Sequence, residues 1–315
     1  MLFHIYYPTH ISGLERMNSY EFGTFFQALF KCIKERGHDL KLTSNPIMPF
    51  GSPGKIVINV HTIADHINTF HVKRGYLDKQ FYIDSRGYSG WSELALSNSL
   101  FEETQNVDES AARTFVEDYR KNVIDRNISK LPQPSRHYEP KGRPYLFLPL
   151  QVCNDTVIQL SRIDYFQFVT GAAEAVRGSG IDLVIKRHPR CSSKEVFNLL
   201  SQLSQQPNII ISNTSIPSLI KHSKAVLCIN SGVGFESLFY YKPVITVGAS
   251  DYEWVTQPVH TLADLRSLPD MAERPVDTRV VAKFLYSVCT NHFVNADDEQ
   301  SIHRKLERIE RTAVR

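Results

Sequence analysis

Three stretches of the second half decide the fold: YLFLPLQVCND (Tyr145–Asp155), IDLVIKRHPR (Ile181–Arg190) and AVLCINSGVGFE (Ala225–Glu236). Each opens on a short apolar run and breaks into a polar loop, the pattern of a strand buried on both faces of a parallel sheet. The strand runs are Tyr145–Leu150, Asp182–Lys186, Asn208–Ser212, Ala225–Ile229 and Pro243–Val247. Helical stretches between them start near Ser161, Ser193, Ser215 and Gly232, and serine is a good N-cap. Strands alternating with helices predict a doubly wound parallel sheet.

The first half alternates less cleanly. Leu2–Tyr7 is apolar, and Tyr20–Arg36 repeats apolar residues at helical spacing (Phe22, Phe25, Phe26, Leu29, Phe30, Ile33) before Gly37 stops it. Strand-like runs follow at Lys55–Val60 and Gln80–Ile83, the second ending in Asp84-Ser85-Arg86-Gly87-Tyr88-Ser89-Gly90-Trp91. Between Leu131 and Pro144 stand Pro132, Pro134, Pro140 and Pro144 among polar residues, a composition that continues neither helix nor central strand. A domain linker is expected there, with the helical segment Glu109–Asp125 closing the first domain. The expected class is α/β with two Rossmann-type domains, residues 1–135 and 136–315, and an interdomain cleft.

With 315 residues, 42% of them hydrophobic and 22% charged, the chain has enough apolar material for two ordinary folded domains. A net charge of +3 without a Lys/Arg stripe gives no nucleic-acid signature. Cys32, Cys153, Cys191, Cys228 and Cys289 are scattered and form no CxxC pair, which speaks against a zinc site or a disulfide framework and fits a reducing, cytoplasmic setting. The start MLFHIYYPTH has no basic stretch before an apolar one, and no window has the apolar length of a membrane span, so neither secretion nor a membrane anchor is expected. The run His303–Arg315 alternates Arg and Lys with Glu, Leu and Ile; it reads as a solvated helix face, or as a contact for anionic lipid headgroups.

Ligands of open parallel sheets gather beyond the carboxyl ends of the strands. The residues there are polar: Gln151, Cys153, Asn154 and Asp155 after the first run, Lys186, Arg187, His188, Pro189 and Arg190 at the second, Asn230, Ser231, Gly232, Gly234 and Glu236 after the fourth. The Asn230–Glu236 turn suits a phosphate seat, its glycines allowing backbone N–H groups to approach; the alternative is a tight turn with glycines for packing. It is neither GxGxxG nor a Walker motif. Glu236 falls in the first helical turn, where a carboxylate is favoured anyway, and could also bond ribose hydroxyls. The Lys186–Arg190 cluster suits phosphate and carboxylate recognition, or is a solvated basic loop. Asp155 and Asp84 each follow a strand; facing carboxylates could divide nucleophile and base roles, while the plain alternatives are a turn cap for Asp155 and an Asx-turn with Arg86 or Gly87 for Asp84.

Taken in order, PLQVCND (from Pro149), KRHPR (from Lys186) and NSGVGFESLFYYKPVITVG (from Asn230) resemble the capsule-polysaccharide and O-antigen β-Kdo transferases of Gram-negative bacteria, with a weaker echo at DSRGYSGW. The resemblance implies a GT-B fold and a retaining transfer of Kdo from CMP-β-Kdo, with CMP held by the C-terminal domain. By motif, His188 and the Ser231-Gly232 turn would contact CMP, Glu236 would stand at the nucleotide-binding helix start, Asp155 would be the nucleophile, and Asp84 a first-domain acid. Some relatives carry an acidic residue where this chain has Leu150. The implied partners are a CMP-sugar donor and a glycan or lipid-linked glycan acceptor, with peripheral contact at the inner membrane and no nucleic acid. No cofactor or metal is expected. Other readings of the same residues are a transferase for another nucleotide sugar, a GT-B-like nucleotide-sugar 2-epimerase, and a non-catalytic glycan-binding subunit.

Overall fold

A computed structural model describes residues 1–7, 20–44, 49–140 and 142–314. The chain divides into two compact units, Met1–Glu103 with Tyr286–Arg315, and Thr104–Leu285.

In the first unit six strands, β1 (Leu2–Tyr7), β2 (Asp39–Ser44), β3 (Lys55–Val60), β4 (Thr69–Arg74), β5 (Gln80–Asp84) and β12 (Phe293–Asn295), form a sheet in the order β12-β5-β4-β3-β1-β2. The pairings among β2, β1, β3 and β4 are parallel, and those of β5 with β4 and with β12 are antiparallel. Alternate residues point to opposite faces. Phe3, Ile5, Ile56, Ile58, Val72 and Ile83 pack a core with Phe25, Leu29 and Ile33 of the Tyr20–Glu35 helix. On the opposite face His4, Asn59, His71 and Asp84 are polar yet buried, beside Val57 and Tyr82. The side chain of Phe22, expected on the apolar stripe of that helix, lies outside the described residues.

The second unit holds β6 (Tyr145–Pro149), β7 (Asp182–Lys186), β8 (Ile209–Ile211), β9 (Ala225–Cys228), β10 (Val244–Thr246) and β11 (Gln257–Pro258), all parallel in the order β11-β10-β9-β6-β7-β8. Leu146, Leu148, Leu183 and Leu227 face a core built with the Tyr165–Ala175 and Lys194–Leu203 helices. Tyr145, Phe147, Val184 and Val226 face a second core with Leu219 and Ile220 of the Ile216–His222 helix. Both faces are covered, which is why these strands read as unbroken apolar runs.

The boundary differs from the expected 135/136. The Glu109–Asn122 helix belongs to the second unit, and the chain returns to the first at Tyr286. The return is fixed by β12 pairing with β5 and by Ile302, Leu306 and Ile309 of the Glu299–Thr312 helix entering the first core. Arg36 and His38 both bond Glu310, and the Arg36 guanidinium holds that carboxyl down to about 2. The apolar face of this helix is therefore spent inside the protein, leaving only its charged side for any surface contact. No described helix is long and apolar enough to cross a membrane.

The proline-rich stretch is part of the second unit's packing. Tyr138 is buried against Tyr145, the Ser215 N–H donates to the Arg136 carbonyl at 3.0 Å, and the Tyr138 N–H donates to Ser218 Oγ at 2.8 Å. Serine caps hold at Ser193, Ser215 and Ser231. Ser161 instead ends a short 3-10 turn (Thr156–Leu160), and the next helix begins at Tyr165 under an Asp164 cap, since Asp164 Oδ1 accepts two N–H groups at 3.0 Å.

Candidate functional site

The order of the second sheet has one reversal point. From β6 the chain steps outward through β7 and β8, then returns to β9 on the other side of β6. The crevice between β6 and β9 at their carboxyl ends is where such sheets bind ligands. The Gln151–Asp155, Arg187–Arg190 and Asn230–Glu236 segments follow three contiguous strands, so the topology brings the three polar clusters to one edge.

Within the crevice, Gln151 and Asn230 bind each other. Gln151 Nε2 donates to Asn230 Oδ1 at 2.8 Å, and the Asn230 N–H donates to Gln151 Oε1 at 3.1 Å. Asn230 Nδ2 also donates to the Val157 and Ala249 carbonyls. With Asn230 at 3% exposure, these two residues fix the loops and have little capacity left for a donor.

The Asn230–Glu236 turn is built partly for packing. A Cβ on Gly234 would lie 2.7 Å from Cys228 Sγ and 2.8 Å from Tyr252 Oη, so the glycine is required by close approach. Tyr252, fully buried, donates to the Ser231 carbonyl at 2.8 Å. Ser231 caps the short Gly232–Leu238 helix through the Val233 N–H at 3.2 Å. Glu236 is buried and accepts the Ser129 hydroxyl at 2.7 Å on Oε1, with Oε2 at 3.0 Å.

After β7, Lys186 Nζ donates to the Thr214 carbonyl at 2.5 Å and Arg187 Nη1 to the Cys191 carbonyl at 2.8 Å. These two cations therefore hold the loop. Pro189 and Arg190 are exposed. His188 is half-buried, and its Nδ1 accepts the Arg190 N–H at 3.1 Å. That bond leaves Nε2 as the protonated nitrogen of the neutral ring. Burial lowers the His188 pKa first, then the charge of Arg190; Asp155 opposes and Lys130 adds to the lowering. Nδ1 is thus an acceptor in place, and Nε2–H a donor at neutral pH.

Asp155 is exposed, and its side chain makes a long cap, Oδ1 accepting the Val157 N–H at 3.4 Å. Asn154 is exposed beside it. Leu150, standing where some relatives carry an acid, is buried in the core. In the first unit Asp84 makes the Asx-turn: its Oδ1 accepts N–H groups from Arg86 (2.8 Å), Gly87 (2.8 Å) and Glu93 (3.0 Å). It is 8% exposed and orders its loop.

Other residues of this edge went unread in the sequence. Arg162 Nη2 bonds both oxygens of Glu253 at 2.6 and 2.7 Å on the loop beyond β10. Ser129 and Lys130, just before the proline-rich stretch, also reach the edge. Among the described residues, one group has metal-ligand geometry, Cys32, Glu35 and His303 in the first unit.

The fold is that of a two-domain α/β protein of the GT-B-like kind whose second sheet carries a polar edge at its reversal point. The chain belongs to the capsule polysaccharide biosynthesis protein family, whose model matches residues 98–283. It is 32% identical over 115 residues to protein FixF of Sinorhizobium fredii, covering 34% of this chain and 27% of FixF. It is 28% identical over 153 residues to the capsule polysaccharide export protein KpsS of Escherichia coli, covering 45% of this chain and 39% of KpsS. The chain thus spans well under half the length of the curated relatives it matches. Two solved structures share its fold: the β-Kdo 2,4 transferase of Thermosulfurimonas dismutans KpsC (TM-score 0.57, 16% identity, 90% of each chain) and the β-Kdo 2,7 transferase of the same protein (TM-score 0.54, 16% identity, 98% and 99% of the chains).

Proposed function

We propose that this chain is a glycosyltransferase that moves Kdo from CMP-β-Kdo to a bacterial surface glycan or glycolipid with retention of configuration. Family membership and the fold shared with two β-Kdo transferases support the reading. The observation that carries it is the carboxyl edge of β6, β7 and β9, which gathers a neutral imidazole donor (His188), an exposed guanidinium (Arg190) and a solvent-facing carboxylate (Asp155).

In this reading His188 Nε2–H and Arg190 meet the donor phosphate and stabilise the charge that builds on it as it leaves. Asp155 attacks the anomeric carbon; the bond from that carbon to the CMP oxygen breaks, and its electron pair leaves with CMP. The acceptor hydroxyl oxygen then displaces Asp155, its proton passing to a base. Two inversions give retention. Asp84 is given no part in the proton transfer, because its Oδ1 already accepts three N–H groups.

Charge neutralisation by Arg190 and polar donors makes the reading metal-independent. Titrating CMP, UDP and GDP by calorimetry in the presence of EDTA tests it. Tightest binding to CMP is expected; preference for UDP, or binding only with Mg²⁺ or Mn²⁺, would contradict it.

A further inference from the structure

The Asn127–Gln133 segment, which leads into the proline-rich stretch, is tied to the carboxyl edge of the second sheet at separate points. The Ser215 hydroxyl donates to Asn127 Oδ1, Ser129 Oγ donates to Glu236 at 2.7 Å, and Gln133 Oε1 accepts the Ile216 N–H at 2.9 Å. Glu236 follows β9, while Ser215 and Ile216 follow β8, and β6 and β7 lie between those two strands in the sheet. A chain as short as Ser129 to Gln133 reaches at most ~14 Å when extended, so Lys130 is confined to this edge. It is half-buried and close enough to His188 for its charge to act on the imidazole, as Arg190 does.

We propose that Lys130 is a donor-binding residue whose ammonium meets an anionic oxygen of the nucleotide-activated sugar, on the phosphate or on the sugar carboxylate, beside His188 and Arg190. This rests on the CMP-sugar reading above. The segment acts as a strap: Ser129 bonds Glu236, and the charge of the next residue, Lys130, acts on His188. The arrangement favours a donor with two negative groups, because Arg190 and Lys130 come from different segments and can take one each.

The test is calorimetry with CMP and steady-state kinetics with CMP-Kdo on the full chain, comparing wild type with Lys130→Met and Lys130→Arg. Lys130→Met should raise KM roughly tenfold or more, as expected for loss of a charge-assisted contact. Lys130→Arg should recover much of that, with unchanged melting in both. Loss of CMP affinity in step with KM assigns the contact to the phosphate; CMP affinity that holds while KM rises assigns it to the sugar carboxylate. With Lys130 removed, His188 keeps Arg190 and Asp155 as charged neighbours, and the acidic limb of the rate profile should move to higher pH. Unchanged KM and CMP affinity in Lys130→Met, or a fall in kcat alone that arginine does not rescue, would overturn the proposal. If Lys130→Met does not fold, Lys130→Gln carries the same comparison. A wild type that binds neither ligand defeats the functional reading itself; a wild type that binds both, with a variant that binds them equally, defeats only the role of Lys130.

Discussion

The backbone N–H of Arg190 donates to Nδ1 of His188 at 3.1 Å, and this bond decides which imidazole nitrogen carries the proton of the neutral ring. In the proposed function the neutral ring, with its proton on Nε2, is the working form. Because burial and Arg190 depress the His188 pKa, that form persists below the ordinary histidine range. Activity should therefore fall as the pH drops through the lowered pKa, with no loss from this group above it. His188→Ala should cost roughly 10²-fold in kcat at neutral pH, with little change in melting. A variant that loses several degrees of stability while keeping full turnover would show His188 to be structural.

The Gln151–Asn230 pair should behave as one unit. Removing either side chain leaves buried polar groups without partners, at about 1–3 kcal/mol each. In a double-mutant cycle of Gln151→Ala and Asn230→Ala, the double variant should lose less stability than the sum, with a coupling of about 1 kcal/mol or more. Strict additivity in chemical denaturation would mean the pair does not join the loops after β6 and β9.

Asp84 separates a loop-ordering role from a catalytic one. An asparagine keeps an oxygen that can accept the Arg86, Gly87 and Glu93 N–H groups, whereas alanine leaves them unpaired. Asp84→Asn should retain most activity, and Asp84→Ala should lose about 1–3 kcal/mol of stability. Loss of turnover in Asp84→Asn without loss of stability would restore the general-base role.

Much of the second unit is legible in the sequence because its strands are covered on both faces and stand out as apolar runs, Tyr145–Leu150 above all. β4 is harder to see: in TFHVKR one face carries Thr69, His71 and Lys73, of which Thr69 and His71 are buried and polar, so no clean alternation appears. β2 (DLKLTS) is an edge strand with Leu42 exposed, and β12 has only three residues and joins its sheet from far along the chain. The loops beyond β6, β7 and β9 could be found from strand ends alone. Which of their side chains are engaged within the protein could not: Asn230, Lys186 and Arg187 are polar and well placed, yet they bond backbone carbonyls of the protein. Lys130 was hidden because prolines stop helices and strands locally, and nothing local says that the stopped chain lies over a sheet edge.

The packing role of Gly234 can be measured directly. Gly234→Ala drives a methyl group into Cys228 and Tyr252, both buried, and should cost about 1–3 kcal/mol. Because Tyr252 also bonds the Ser231 carbonyl, the turn should shift and CMP affinity fall with it. Unchanged stability in thermal melting would show that the turn yields easily.

The central claim is that Asp155 takes up the sugar from a CMP-activated donor. Incubating the protein with CMP-Kdo and no acceptor, then recording the intact mass, tests it most directly. A Kdo adduct is expected that maps to the peptide containing Asp155 and is absent in Asp155→Asn. A fully active Asp155→Ala protein, or an adduct on another carboxylate, would contradict it.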